Sequence, residues 1–412
     1  MHILKDLICC DEPMAIPVKA DLSSNWQLDE SIIFLNHGSF GATPTLILEE
    51  QRRWQNLMET EPVRFFEEIA PKALLESRKA VSKLLNCDYD DLVLIENATS
   101  GVNTILRSLE FNPSDEIIVT NHTYQACRNS LDFIAKKYSA VVVVCEIPFP
   151  VKSSKIIIEN VLSCVTKNTK LAMIDTVTSP TGLKLPFEKI VKNLESLGIK
   201  VLLDAAHGIG MFPIDLNEIG ASFTITNCHK WLCSPKGTAI MHVRRDLQEL
   251  IHPLTISHGM TFPLGETTRF RHEFDWTGTR DVSAWCVLPF LINFLDNLID
   301  GGLNEIMLRN NKLVLKGRDI ICDKLNIEKP CPDDMISCIA TIKLPGTAVN
   351  GIPLHEPDPL HLSLLEKYKI QVPVWYWPNP EGRYLRISSY LYNHESEYEY
   401  LADALLELLN KV

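Results

Sequence analysis

An aspartate and a lysine stand at the ends of two short apolar runs, Val201-Leu-Leu-Asp-Ala-Ala-His-Gly-Ile-Gly210 and Thr224-Ile-Thr-Asn-Cys-His-Lys-Trp231. Each begins as a short apolar run rich in Val, Leu and Ile and stops on groups that are costly to bury alone: Asp204 and His207 in the first, His229 and Lys230 in the second. That pattern predicts two buried strands handing polar side chains to one sheet edge. Open α/β sheets take their ligands at the carboxyl ends of the strands. A carboxylate and a lysine delivered there suit pyridoxal phosphate. The carboxylate keeps the pyridine nitrogen protonated, the ring then acts as an electron sink, and the lysine amine bonds the aldehyde carbon. On these two segments alone, a structural Asp–Lys ion pair explains the residues equally well.

Elements able to position such residues recur along the chain. Residues 1–30 read as an irregular or weakly helical lead-in. Ile32–Leu35 is a predicted strand, and Asn36-His-Gly-Ser-Phe-Gly-Ala-Thr-Pro44 after it is a tight, backbone-exposing loop. Helix is predicted over 46–58 and about 71–85, with Pro62-Val-Arg-Phe-Phe66 between them. Leu92–Ile95 then opens a strand–turn–helix rhythm. Its turn, Glu96-Asn-Ala-Thr-Ser-Gly101, precedes a predicted helix over 102–109 and has the chemistry of a phosphate cradle. Thr99 and Ser100 offer hydroxyls, Gly101 admits close backbone approach, and the helix start presents free N–H groups. A plain Thr or Ser N-cap accounts for the same residues.

Glu116–Thr120 is the next predicted strand, ending in Asn121-His-Thr-Tyr124, where an aromatic ring could stack on a planar cofactor. Spacing does not choose between His122 and Tyr124. Further strands are predicted over 140–145 and 171–175. Strands alternating with helices imply a largely parallel sheet of α/β class. The rhythm fades after about Arg245, where 252–259 and 266–280 read as long loops of the functional kind. Helices over 284–298 and 303–325 and strands near 336–344 and 384–388 predict a smaller closing unit.

Composition bounds the chemistry. The chain has 412 residues, enough for two or three domains, and a net charge of −12, which disfavours nucleic acid or an anionic membrane surface as partner. No apolar run approaches the length needed to span a bilayer, and the first dozen residues lack a basic n-region and long apolar stretch. The twelve cysteines are scattered through apolar segments, as expected of reduced thiols in a cytoplasmic protein. Cys228 and Cys233 do not have zinc spacing, so no metal is expected.

Five ordered motifs carry a resemblance. Leu202-Leu-Asp-Ala-Ala-His-Gly and Asn227-Cys-His-Lys-Trp resemble the class V aminotransferase group of fold-type I pyridoxal phosphate enzymes. Asn36-His-Gly-Ser-Phe-Gly, Trp276-Thr-Gly-Thr-Arg-Asp281 and Leu385-Arg-Ile-Ser-Ser-Tyr-Leu-Tyr-Asn393 resemble its isopenicillin N epimerase-like branch, and within it the L-cysteine desulfhydrases and hercynylcysteine sulfoxide lyases. The resemblance runs from about residue 34 to 393. It implies an N-terminal segment over 1–45 that packs with the small domain, a large cofactor-binding domain over 46–275 with a mostly parallel seven-stranded sheet, and a smaller α/β domain over 276–412.

It also implies roles. Lys230 matches the cofactor-bonding lysine, which can also shuttle the Cα proton. Asp204 matches the partner of the pyridine nitrogen and His207 the residue beside the ring hydroxyl. His122 or Tyr124 would stack on the ring; ungapped comparison favours His122 and aromatic character favours Tyr124. Thr99, Asn227 and His229 belong to the phosphate end with the Ala98 and Thr99 backbone, with Ser100 beside them, although His229 could instead pack beside Lys230. Thr279, after Gly278, would reach the phosphate of a neighbouring subunit, implying a homodimer with shared sites. Arg386 matches the arginine that grips the substrate carboxylate as a planar fork. Asn36, His37 and Gly38, in the loop up to Gly41, would close over the same carboxylate. Arg280 and Arg64 either line the substrate mouth or form structural ion pairs.

The expected reaction is C–S lysis of L-cysteine or an S-substituted cysteine or its sulfoxide, giving pyruvate and ammonia, with Tyr124 or His122 protonating the leaving sulfur. The alternatives are an amino-acid epimerase, a class V aminotransferase, or a binding subunit that has lost catalysis. Related desulfurases use a nucleophilic cysteine near the carboxylate-binding arginine. No cysteine follows Cys338, and Cys338 sits in an apolar predicted strand, which disfavours persulfide formation.

Overall fold

A computed structural model of the chain describes residues 17–345, 358–378 and 381–409. The first sixteen residues of the expected lead-in lie outside these. Seven strands form the central sheet: β2 (Leu92–Ile95), β3 (Glu116–Thr120), β4 (Val141–Cys145), β5 (Thr169–Asp175), β6 (Lys200–Ala205), β7 (Phe223–Asn227) and β8 (Ala239–Val243), preceded in the chain by β1 (Ile33–Phe34). Their spatial order is β2-β8-β7-β6-β5-β3-β4. Only β8 is reversed, pairing antiparallel with both β2 and β7. The sheet is therefore mostly parallel, as the strand–helix rhythm requires, and the α/β fold class is the expected one.

The residues of β6 explain why it reads as an unbroken apolar run. Val201 and Leu203 pack into one core and Leu202 into another, so helices cover both faces. Each leucine so buried contributes about 1.5–3 kcal/mol. The helix Phe187–Ser196 shows the complementary pattern, burying Phe187, Ile190, Val191 and Leu194 along one stripe.

Three sequence expectations change. The helix after β2 begins at Ala98, so Thr99, Ser100 and Gly101 lie in its first turn; its cap is Asn97, whose side chain accepts the Ser100 N–H at 2.9 Å. The expected loop over 266–280 contains the helix Arg269–Asp275, capped by Thr268. The break at 62–66 narrows to Glu61, because a short turn, Pro62–Arg64, and a π-helical turn, Phe65–Ile69, lead straight into the helix Ala70–Leu85.

The closing unit carries a three-stranded antiparallel sheet in the order β11-β12-β9, where β9 is Ile339–Lys343, β10 Ile370–Gln371, β11 Val374–Pro378 and β12 Glu381–Ser388. β1 pairs in parallel with β10, Ile33 opposite Ile370, which ties the N-terminal segment to this unit.

Candidate active site

The carboxyl ends of β2, β3, β5, β6 and β7 line one cavity of about 370 Å³, closed from the other side by Gly38–Phe40 and Arg386. Asp204, near the end of β6, is 4 % exposed. Its Oδ1 accepts the Ala206 N–H at 3.0 Å and its Oδ2 the Cys127 thiol at 3.5 Å. Burial raises its pKa, opposed by the Ala206 amide, the Cys127 thiol and the Lys230 charge. Asp175 ends β5 in register beside it. Its Oδ2 is buried with no hydrogen-bond partner among the described residues, and burial followed by the Asp204 charge holds its carboxyl well above the ordinary range. Adjacent buried carboxyls with an unmet oxygen suit a cationic N–H aimed between them.

Lys230 enters the same cavity from the loop after β7, its Nζ 3.2 Å from His207 Nε2. Burial lowers the lysine pKa to about 8, helped by the Arg386 charge and resisted by Asp204 and Cys127. Burial, then Lys230 and Arg386, holds His207 well below the usual imidazole range.

Arg386 comes from β12, where Leu385 and Ile387 face the core. Arg386 is 8 % exposed, and its guanidinium donates to Ser179 O at 2.6 Å and Ser39 Oγ at 2.8 Å, above the Trp375 ring. Burial brings its pKa down to about 10. It forms no ion pair with any acid among the described residues. A buried guanidinium without a counter-ion is an anion site.

The helix start at Ala98 forms the opposite end. Asn227 Oδ1 accepts the Ala98 N–H at 2.8 Å and Asn97 takes that of Ser100, leaving the Thr99 amide without a partner among the described residues. Ala98, Thr99, Asn227 and His229 all line the cavity; Ser100 does not. His229 Nδ1–H donates to Thr238 O at 2.9 Å, and burial lowers its pKa to about 4. Gly101 does not meet the cavity either. A Cβ there would press on Ile95 and Ile225, so this glycine lets the helix approach the sheet.

Several expected residues sit elsewhere. His122 is fully buried; its Nε2–H donates to Ile147 O at 3.0 Å and its Nδ1 bonds the Thr181 hydroxyl at 2.7 Å, so both nitrogens are used behind the cavity wall. Of the two, Tyr124, 46 % exposed, is the one that lines the cavity. His37 is also buried behind the wall. It stacks on Tyr390 with 4.2 Å between centroids and donates Nε2–H to the Lys230 carbonyl at 2.9 Å, so it holds the lysine's backbone rather than meeting a substrate. Asn36 turns to the Ser39 hydroxyl at 2.6 Å; Gly38 does line the cavity. Thr279 is exposed and away from this chain's cavity. Arg280 pairs with Glu96 and lies over Trp285, while Arg64 pairs with Glu68 on the surface. Ser39 and Phe40 of the expected loop line the cavity with Gly38, and cavity residues that the sequence reading passed over include Asp175, Ser179, Cys127 and Asn97.

Gly41 fixes the loop against the lysine. Its φ of 70° and ψ of 168° suit glycine almost alone, and a Cβ would lie 2.8 Å from Lys230 O and closer still to His229 O. Gly41→Ala should cost about 2–4 kcal/mol, seen as a lower Tm and a displaced Lys230.

An aminotransferase class-V family model matches residues 49–327. A probable chloroplastic L-cysteine desulfhydrase of Arabidopsis thaliana is 31% identical over 406 residues, 92% of this chain and 83% of that protein. The chain belongs to the class-V aminotransferase family. Another relative, isopenicillin N epimerase of Streptomyces clavuligerus, is 26% identical over 95% of this chain and 98% of its own. Among solved structures, the cysteine desulfurase CsdA of Escherichia coli shares the fold with a TM-score of 0.75 at 19% identity, covering 95% of this chain and 98% of that one. The cystine C–S lyase C-DES does so at 0.72 and 16%, covering 91% and 97%.

As a class-V member the chain is a pyridoxal phosphate enzyme, and its own residues fit that cofactor. The Asp204–Asp175 pair suits a protonated ring nitrogen, Lys230 the aldehyde, and the Thr99 amide at a helix start the phosphate. An amine attacks an aldehyde only when unprotonated. Capture of pyridoxal phosphate by the apoprotein should therefore quicken about tenfold per unit below the Lys230 pKa of about 8 and level off above it, as stopped-flow absorbance would record.

Proposed function

We propose that the chain is a C–S lyase acting on L-cysteine or an S-substituted cysteine, sulfoxides included, to give pyruvate, ammonia and a sulfur product. The observation that carries the amino-acid part is Arg386, a buried cation without an acid partner among the described residues, facing the cavity that holds Lys230 and Asp204. C–S cleavage is supported by the desulfhydrase relatives and by the cysteines. Cys127 is the cavity thiol, and burial with the Asp204 and Asp175 charges keeps it protonated. Cys338 is fully buried and pushed up to about 12. Neither suits a persulfide-forming nucleophile.

Bound pyridoxal phosphate supplies the sink for the electron pair left at Cα. Asp204 holds the ring nitrogen's proton. Arg386 grips the substrate carboxylate and so orients the Cα–H bond toward Lys230 Nζ, which takes that proton. Tyr124, at the cavity mouth, gives its hydroxyl proton to the leaving sulfur; His122 has no nitrogen free for this. Gly38 and Ser39 close the carboxylate end.

We further propose a homodimer, with the chain divided at 45/46 and 275/276, working in the cytoplasm. The unpaired state of the ten described cysteines supports a reducing compartment. Leu254, Ile256, Met260, Phe262 and Leu264 are exposed on the segment that leads to Thr279, an apolar surface suited to a second copy. Thr279→Ala should leave the dimer and its Tm intact but weaken cofactor retention about tenfold, the worth of one hydrogen bond to a charged group, measured by dialysis against competing apoprotein.

Incubation with L-cysteine and with a bulky S-substituted cysteine sulfoxide, following pyruvate and substrate chirality together, tests the reading. Pyruvate is the expected result. Racemisation without pyruvate overturns it in favour of an epimerase; amino-group transfer to a keto acid overturns it in favour of transamination.

A further inference from the structure

We propose that Trp231 is a positioning residue that fixes the proton of His207 on Nε2 and thereby biases the Lys230 amine toward its neutral form. The inference rests on reading Lys230 as the cofactor-bonding lysine and deepens it by assigning who controls that amine's proton.

The argument is one of donors and acceptors. The indole N–H of Trp231 can only donate, and it points at His207 Nδ1 at 3.0 Å. Nδ1 must therefore offer a lone pair. A neutral imidazole then carries its proton on Nε2, the nitrogen 3.2 Å from Lys230 Nζ. Flipping the ring would place carbons at both contacts and lose both bonds. With Nε2–H donating, Nζ has to accept, which only an unprotonated amine can do. An ammonium at Nζ would need a lone pair on Nε2 as well, and an imidazole with two lone pairs is an anion. Imidazolium is excluded from the other side, because Nδ1–H would face Trp231 Nε1–H.

The indole cannot turn aside to release this arrangement. Trp231 is fully buried, its carbonyl accepts the Tyr390 hydroxyl at 3.3 Å, and its ring packs against His37 with 4.9 Å between centroids. The neighbouring charges act on the same balance. His207 faces Lys230, Arg386, His37 and His229; Lys230 faces Arg386, which opposes a second cation, and Asp204 and Cys127, which favour one. Asp204 alone would draw Lys230 toward the ammonium form. The Trp231–His207 pair answers it by a hydrogen-bond direction rather than by a charge. His207 is thus a fixed donor at this point of the cavity, with no acid–base turnover of its own.

The test uses the apoprotein labelled with ¹⁵N-histidine, the His207 signals being assigned by their loss in His207→Gln. The expected spectrum shows His207 with bare Nδ1 and protonated Nε2, unchanged between about pH 6 and pH 9. A protonated Nδ1, or a His207 that titrates in this range, overturns the proposal in the wild-type protein alone. In Trp231→Phe, His207 should begin to titrate. The pH midpoint for acylation of Lys230 by a small amine reagent should rise by about one unit, roughly tenfold less free amine at neutral pH. A folded Trp231→Phe with the wild-type tautomer and midpoint also overturns it. Failure of the lysine assignment itself appears differently, as wild-type protein that binds pyridoxal phosphate without any covalent bond to Lys230.

Discussion

Replacing Lys230 with alanine should abolish the absorbance of lysine-bound cofactor and lower turnover by at least about 10³-fold, since both the covalent bond and the Cα proton acceptor go with it. The fold should survive, and the apoprotein should gain stability near neutral pH. The sign follows from the direction of the lysine's shift. Its folded pKa of about 8 lies below the ordinary 10.5, so burying it as an ammonium is penalised. That penalty is complete below pH 8, on the order of 3 kcal/mol. It fades as pH rises through 8 toward 10.5, where the lysine is neutral in both states. Thermal melts of Lys230→Ala against wild type at two pH values, one either side of this window, would record a gap that closes upward. An alanine variant that still forms the lysine-type absorbance would remove Lys230 from the centre of the site.

Arg386→Ala should cost about 10²-fold in kcat/KM, carried mainly by KM, because a charged, two-pronged hydrogen bond to a carboxylate is lost. Arg386→Lys should recover part of it, restoring charge without the fork. The deciding comparison is with cysteamine, which is cysteine without its carboxylate. Wild type should prefer cysteine by about that same 10²-fold, and the variant should lose the preference. If the variant discriminates as well as wild type does, the guanidinium does not read the carboxylate. Melting curves control for the contacts with Ser179 and Ser39, whose loss would lower Tm rather than erase a preference.

Much of this site was legible in the sequence because a buried strand must stop when it reaches a charge. The runs ending at Asp204 and Lys230 were read that way, and Arg386 was read from its apolar flanks. Asp175 ended an equally apolar run, Leu171-Ala-Met-Ile174, and carried the same signal unread. Cys127 was not legible: its thiol meets Asp204 by the packing of the helix Gln125–Tyr138 on the sheet, which no spacing encodes. His37 misled for the opposite reason. Its glycine-rich surroundings suggest a ligand loop, yet the imidazole turns inward to the Lys230 carbonyl while its neighbours Gly38 and Ser39 face the cavity. β8 was missed because Thr238-Ala-Ile-Met-His-Val243 is a short run with a polar residue near its end, and only its place between β2 and β7 makes it a strand.

The pairing of β1 with β10 has a consequence for synthesis. Ile33 emerges from the ribosome well before its partner Ile370, with more than 300 residues made between them. At ordinary elongation rates the wait is on the order of half a minute. During it the segment bearing Gly38 and Ser39 has no sheet to join, and the arginine it will meet does not yet exist. A chain released early could fold its central sheet yet would lack the side of the cavity that holds a carboxylate. Synthesis of β10 and β12 thus doubles as the step that switches the cavity on.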